Sequence, residues 1–204
     1  MIKGLIFAAV FLFGGSSGWE EISLYGLQEN TTPEQEIRII LEERDAQIKQ
    51  LVGPAGTEHS EEQREKLQQI INGMIDFRRM ASEALRGHFD EIESVEREEF
   101  IDLFSKIVRD QSMNRLDIYR AEVSYNEIEV EESEALVKTV VKLDNVQTPV
   151  HYTMVREEGE WRITDMIIDE VSTTGSYQRQ FQSIIRQRGF DALMESLRRR
   201  ASRI

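Results

Sequence analysis

The spacing of apolar residues changes twice along this chain, and that change restricts it to one fold class. From Thr32 to about Arg120 apolar residues recur at helical spacing. From Ala121 to about Glu170 they alternate, and helical spacing then returns to the C-terminus. Helical spacing gathers side chains on one stripe and alternation gathers them on one sheet face, so each segment has a face to bury. Helices, a run of strands, then helices predict an α+β domain, with helices packed on a four-stranded antiparallel sheet. A length of 204 residues suits one domain whose core needs no disulfide or metal staple.

Capping residues punctuate the helical parts. Thr32, Pro33 and Gln35 stand where a reciprocal cap needs them, and Gly53-Pro54 ends the stripe of Ile37, Ile40, Leu41, Ile48 and Leu51. Ser60 with Gln63 repeats the signal ahead of Leu67, Ile70 and Ile71. After Gly73, the residues Phe77, Met80, Ala81, Ala84 and Leu85 resume helical spacing as far as Gly87. The most periodic stretch runs from Val95 to Tyr119 through Phe100, Leu103, Phe104, Ile107 and Val108, with Ser94 expected as its N-cap. Beyond the strands, Tyr177, Phe181, Ile184 and Ile185 form a stripe. Gly189 breaks it before Phe190, Leu193, Met194 and Leu197.

In the alternating segment Val123 and Tyr125 share a face, as do Val137, Thr139, Val141 and Leu143. Val150, Tyr152 and Met154 enter a turn at Glu157-Glu158-Gly159, and Trp161, Ile163 and Asp165 leave it, which predicts a hairpin. Leu136 and Val140 make the second strand partly apolar on its other side as well.

The N-terminus has a different character. Lys3 precedes an unbroken apolar run from Leu5 to Phe13, followed by the small residues Gly14 to Gly18. The run is about half the roughly 20 residues that a spanning helix needs. It reads as a signal peptide over 1–18, cleaved near Gly18, with 19–204 as the exported domain. No cysteine follows it as a lipid attachment point, so a protein free in solution is expected.

Charge and missing residue types narrow the chemistry. The chain carries 25 basic and 38 acidic residues, net −13; without Lys3 the balance is 24 to 38, net −14. A phosphate backbone demands the opposite sign, so a nucleic-acid partner is excluded. The absence of cysteine excludes thiol catalysis and thiolate metal sites. His59, His88 and His151 have no ligand spacing, and no G-x-S-x-G, P-loop or dinucleotide fingerprint occurs. A non-enzymatic protein without metal or cofactor is therefore expected. One carboxylate keeps an alternative open. Strict alternation puts Asp165 on the face of Trp161 and Ile163, where it is either a buried general base or a carboxylate at the sheet end bonding backbone N–H groups or an arginine. The apolar stripes are open in the same way, because periodicity does not distinguish a filled core from a lined cavity.

Several segments, taken in order, resemble a known family. Asp76-Phe77-Arg78-Arg79-Met80-Ala81-Ser82-Glu83-Ala84-Leu85 and Glu99-Phe100-Ile101-Asp102-Leu103-Phe104 are similar to its "DF…MA…AL" and "F…LF" segments. Pro149-Val150-His151-Tyr152 and Gly159-Glu160-Trp161-Arg162-Ile163-Thr164-Asp165 look like its "PV.Y" and "G.W.V.D" strands. Val171-Ser172, Tyr177 to Phe181 and Gly189 to Leu193 are similar to its "GVS", "YR.QF" and "GID.L" signatures. The family is MlaC, the periplasmic phospholipid-binding proteins of the Mla transport system, also called toluene-tolerance proteins. The resemblance covers about Asn72 to Arg199. Glu170 departs from it, standing where the family carries glycine, and so does Gln178, lying between Tyr177 and Arg179.

The resemblance implies a periplasmic carrier whose sheet and helices enclose an apolar cavity for the two acyl chains of a phospholipid. It implies transient docking to an inner-membrane ABC transporter complex and to an outer-membrane lipoprotein–porin complex. The expected cavity wall takes Phe77, Met80 and Ala84 from one helix and Phe100, Phe104 and Ile107 from another. The sheet contributes Val123, Tyr125, Val137, Val141, Tyr152, Met154, Trp161 and Ile163, with Phe181 and Ile185 behind. Alternatives are a carrier of another lipid, such as a hopanoid, or a small pocket enzyme using Asp165. The basic end, Arg198 to Arg200 and Arg203, complements a helix C-terminus or docks an anionic partner.

Overall fold

The computed structural model describes Thr31–Ile204 apart from Arg115, so the expected signal peptide lies outside the described residues. Five helices come first: α1 (Pro33–Val52), α2 (Glu61–Asn72), α3 (Phe77–Leu85), the short α4 (His88–Glu91) and α5 (Ser94–Met113). A 3-10 helix (Leu116–Arg120) leads into β1 (Glu122–Glu131), β2 (Glu134–Leu143), β3 (Val146–Glu157), β4 (Glu160–Ile168) and β5 (Val171–Ser172). The chain closes with α6 (Thr173–Arg188) and α7 (Phe190–Ala201).

The caps form as their spacing predicts. The Thr32 hydroxyl accepts from the Gln35 N–H at 3.4 Å, and the Gln35 amide oxygen accepts from the Thr32 N–H at 3.0 Å. Ser60 and Gln63 repeat the pair at 3.3 and 2.9 Å. Two pairs of orphan donors at helix starts are satisfied in this way. The start of α5 differs from expectation by one residue. Glu93, not Ser94, is the cap, and its N–H donates to the Glu96 carboxylate at 3.2 Å.

The α+β class is as expected, with one correction: the sheet has five strands in the order β1-β2-β3-β4-β5, all antiparallel, not four. The fifth strand has two residues and pairs with Ile167 and Ile168 of β4. Two residues cannot display alternation, which is why the spacing hides it. The turn into it places Asp169 and Glu170 at φ 50° and 65°, the left-handed pair of a tight hairpin.

Two bulges decide which side chains face the helices. The β1–β2 register slips at Asn126, so Tyr125 pairs with Thr139 but Ile128 pairs with Val137. The β3–β4 register slips at Thr164, so Met154 pairs with Ile163 but Thr153 pairs with Asp165. An extra residue inverts the alternation beyond it. The face packed on the helices therefore carries four cross-strand rows. They are Val130·Ala135·Met154·Ile163, Ile128·Val137·Tyr152·Met166, Tyr125·Thr139·Val150·Ile168 and the shorter Val123·Val141·Thr148. Asp165 falls on the opposite face from Ile163, contrary to strict alternation.

The connector between α2 and α3 adds a short bridge to β4. The Ile163 N–H donates to the Met74 carbonyl at 2.7 Å, and the Asp76 N–H donates to the Ile163 carbonyl at 2.8 Å. Asp76 then caps α3, accepting from the Arg79 N–H at 2.8 Å. The buried stripe of α3, Phe77, Met80, Ala81, Ala84 and Leu85, is held against the sheet by this anchor.

Candidate functional site

Buried apolar residues form two separate clusters. The larger joins Ile37 and Leu41 of α1 to the α3 stripe, to Phe100, Phe104 and Ile107 of α5, and to Phe181, Leu193 and Met194 of the last two helices. From the sheet it takes Ala135, Val137, Met154, Trp161 and Ile163. Its centre is aromatic: Phe100 and Phe104 lie 6.0 Å apart, and Phe181 meets them edge-on at 5.8 and 6.2 Å. The smaller cluster, Val52, Leu67 and Met113, closes the other end of α1 against α2 and α5. Ile48, Leu51, Ile71, Leu116 and Tyr119 surround it.

The expected wall residues divide between these environments. Phe77, Met80, Ala84, Phe100, Phe104, Ile107, Val137, Met154, Trp161, Ile163 and Phe181 are all buried in the larger cluster. Tyr125, Tyr152 and Ile185 pack against it from its margin. Val123 and Val141 belong to neither cluster and are half-buried. Val150, in the neighbouring row, has the same standing. Packing therefore fades across the sheet, from the row at Met154 towards the row at Val141.

Tyrosines occupy the border where it fades. Burial pushes the Tyr152 hydroxyl up to about 12, with the Asp45 carboxylate adding to the effect. Tyr119 is also raised to about 12, by burial first and then by Tyr152, while Ser112 opposes the shift. Tyr125 rises further for the same first reason, and Tyr152, Asp45 and Glu42 reinforce it. Asp45 itself pairs with Lys49 at 2.7 Å. Three neutral phenols and one ion pair thus stand between the two apolar clusters. Each has an apolar ring body and a polar tip, so this border suits an amphiphile as well as an aliphatic chain.

Several members of this face are invisible to strict alternation. Ile128, Val130 and Met166 pack against the larger cluster, yet they are out of phase with Tyr125 and Ile163 on their own strands. Only the partner strand's register locates the two bulges. Tyr119, which helical spacing places at the end of the stretch from Val95, lies instead in the 3-10 helix beyond the end of α5 at Met113.

Asp165 takes the second of its two expected roles. One carboxylate oxygen accepts from the Met166 and Thr174 N–H groups at 2.9 Å each, and the other accepts from the Ser172 hydroxyl at 2.5 Å. Ser172 in turn caps α6, accepting from the Gly175 N–H at 2.8 Å. The carboxylate fastens the first turn of α6 to β4. Among the described residues, no group of His, Asp and Glu is arranged to hold a metal ion, and no helix is long and apolar enough to cross a membrane.

Two surface clefts lie elsewhere. One, of about 360 Å³, sits at the β4–β5 turn between Ile168, Val171, Tyr177 and Arg200. The other, of about 720 Å³, runs between the α3–α4 corner and α6 and has a polar, basic wall. Neither is lined by Val123, Val141 or Val150.

A sheet backed by helices in this order is also the fold of a solved phospholipid-binding protein from Ralstonia solanacearum, determined in complex with a phospholipid. The TM-score is 0.67 over 83% of this chain and 97% of that one, at 17% sequence identity. The family itself follows from sequence: the MlaC protein family matches residues 44–199, and the chain belongs to it. Comparison with curated proteins found no match.

Proposed function

We propose that this protein is a periplasmic phospholipid carrier, exported by a signal peptide over 1–18 and active as a binding protein rather than an enzyme. The observation that carries the proposal is the split core: a sheet face densely packed at one end and only half-buried at the other, with tyrosines between. Membership of the MlaC family and the shared fold of a phospholipid-bound relative support it. In this reading the acyl chains lie along the neighbouring rows of Val123, Val141 and Val150 and reach the margin of the larger cluster at Tyr125, Tyr152 and Ile185. The remaining expected wall residues, from Phe77 to Phe181, form its inner backing.

The energetics suit such a site. A diacyl lipid has on the order of 30 methylenes, each worth ~0.8 kcal/mol when removed from water. A head-group hydrogen bond contributes only ~1 kcal/mol net. Affinity therefore resides in a wall of apolar side chains, and head-group selectivity is weak. Asp165 is read as structural rather than catalytic, since its carboxylate accepts from Ser172 and Thr174 at the start of α6 and from Met166 of β4. The carrier would exchange its cargo with the inner-membrane transporter complex and the outer-membrane lipoprotein–porin complex.

Solvent extraction of the purified mature protein followed by mass spectrometry tests the proposal. About one phospholipid per chain is expected, and Val141→Trp, which fills the half-packed end, should lower that content at unchanged thermal stability. Repeated absence of lipid, with no uptake from vesicles, overturns the carrier reading.

A further inference from the structure

The cleft of about 720 Å³ gathers Arg86, Arg179 and Arg186 on its walls. On a chain of net charge −13, several arginines outside it are matched by carboxylates, among them Arg78 with Glu98 at 2.7 Å, Arg156 with Glu36 at 3.2 Å and Arg198 with Glu99 at 2.6 Å. Inside the cleft none of the three arginines is matched in this way. Arg86 and Arg186 make no ion pair among the described residues, and Arg179 donates only to the Ser176 hydroxyl, at 2.9 Å. The single carboxylate in the lining, Glu91, is engaged by His88 at 3.0 Å.

The walls that carry the arginines are fixed. Arg179, Gln182, Ser183 and Arg186 follow one another at helical spacing, so they form a single stripe along α6. The facing wall is the end of α3, where Arg86 takes a left-handed conformation at φ 53° and its N–H donates to the Ser82 carbonyl at 2.7 Å. Gln182 ties the walls together by donating to the Leu85 carbonyl at 3.0 Å. The result is a trough with cations on both sides, and with amide and hydroxyl groups of α6 between Arg179 and Arg186.

We infer that this trough is a docking site for an acidic segment of a protein partner. Guanidinium groups with no intramolecular partner are disposed to take carboxylates in paired hydrogen bonds. Concavity selects a protruding polypeptide over a bilayer. A lipid surface is flat on this scale, and bringing it close would also press it against the acidic remainder of the protein. Charge matching of this kind fixes orientation and speeds encounter more than it adds affinity, which suits a partner that must leave again. The inference does not depend on the lipid site, because none of the trough residues belongs to either apolar cluster.

A fluorescein-labelled peptide of alternating Glu and Ser, its Gln-for-Glu counterpart and the mature full-length protein provide the test. Fluorescence anisotropy at low salt should show saturable binding of the Glu peptide alone, weakening as salt rises. The triple variant R86Q/R179Q/R186Q should bind about tenfold more weakly or worse, since each exposed pair contributes modestly. R64Q/K66Q/K106Q, which removes the same charge from exposed positions elsewhere, should bind nearly as well as the parent. Equal loss in both variants reduces the effect to net charge and overturns the inference. So does an unchanged affinity in the trough variant, or no binding at low salt. Two further arms separate other anions. Displacement of the peptide by millimolar inorganic phosphate, or trough-dependent sedimentation with vesicles rich in phosphatidylglycerol, would assign the arginines to phosphate or to a membrane instead. Thermal unfolding followed by circular dichroism on the same preparations shows that the variants are folded.

Discussion

The two ends of the sheet's core face are built from similar residues and end in different states. At one end Ala135, Met154, Trp161 and Ile163 are at most 7% exposed and share a cluster with Phe100, Phe104 and Phe181. At the other end Val123, Val141 and Val150 are equally apolar, yet they belong to no cluster and remain half-buried. Hydrophobicity alone does not explain the difference, since valine favours burial at both ends. What differs is the opposing layer. The packed end faces α3, α5 and α6 and their aromatic side chains. The open end adjoins the border of tyrosines that includes Tyr119 of the 3-10 helix. A protein that must be stable and also hold a removable apolar ligand can divide the two tasks in this way, with one end supplying folding energy and the other keeping surface to share.

The largest expected effect lies at the packed end. Phe104→Ala removes a fully buried ring that contacts Phe100, Tyr177 and Phe181, and should cost about 3–5 kcal/mol in urea unfolding. Val141→Ala, at the open end, should cost roughly 1 kcal/mol or less, because its side chain is incompletely buried and lacks cluster partners. Comparable losses at the two sites would break the contrast.

The tyrosine border should make stability fall at high pH. The native hydroxyls of Tyr119 and Tyr152 titrate near 12, above the ordinary value of 10. Between these values the unfolded chain has lost protons that the native state still holds, so unfolding becomes more favourable as pH rises. Their contribution is intact below pH ~10 and is lost progressively towards pH ~12. Urea midpoints across that range, with phenolate absorbance followed in parallel, check this. A midpoint independent of pH over that window would place these phenols in water.

Asp165→Ala should have a smaller effect, about 1–3 kcal/mol, by stranding donors at Met166, Ser172 and Thr174. Lipid content should survive in the protein that remains folded. A specific loss of activity on some small apolar substrate, at native stability, would instead restore the enzyme alternative.

Glu170→Gly should be the mildest change and the only stabilising one. Glu170 holds φ 65°, a conformation that glycine adopts without steric cost, and the gain should be about 0.5–1 kcal/mol. The family pattern carries glycine there, and the turn alone supplies a reason. A destabilised variant would show that the Glu170 side chain has a role the turn geometry does not reveal.

Much of the fold was legible because its signals are local. Thr32 with Gln35 and Ser60 with Gln63 announce helix starts through neighbours three residues apart, and Glu158-Gly159 marks the hairpin between β3 and β4. The candidate site was legible only in part. Phe77, Met80, Phe100 and Phe104 stand out at helical spacing, but Ile128, Val130 and Met166 are hidden behind bulges whose positions depend on the paired strand. For Asp165 the bulge at Thr164 reverses the expected face, turning a possible inward acid into a clasp between β4 and α6.

The sequence by itself determined the α+β class, the capped helix starts to within a residue, the acidic balance and, through an ordered set of short motifs, the MlaC family, but it ran α5 on to Tyr119 where the helix ends at Met113. Only the tertiary structure decided which apolar residues are core and which stand at its unfinished edge, and it was also needed to leave Arg86, Arg179 and Arg186 without carboxylate partners. The reason is physical. A cap, a turn or a stripe depends on residues a few positions apart, whereas burial and charge pairing depend on what the rest of the chain brings alongside.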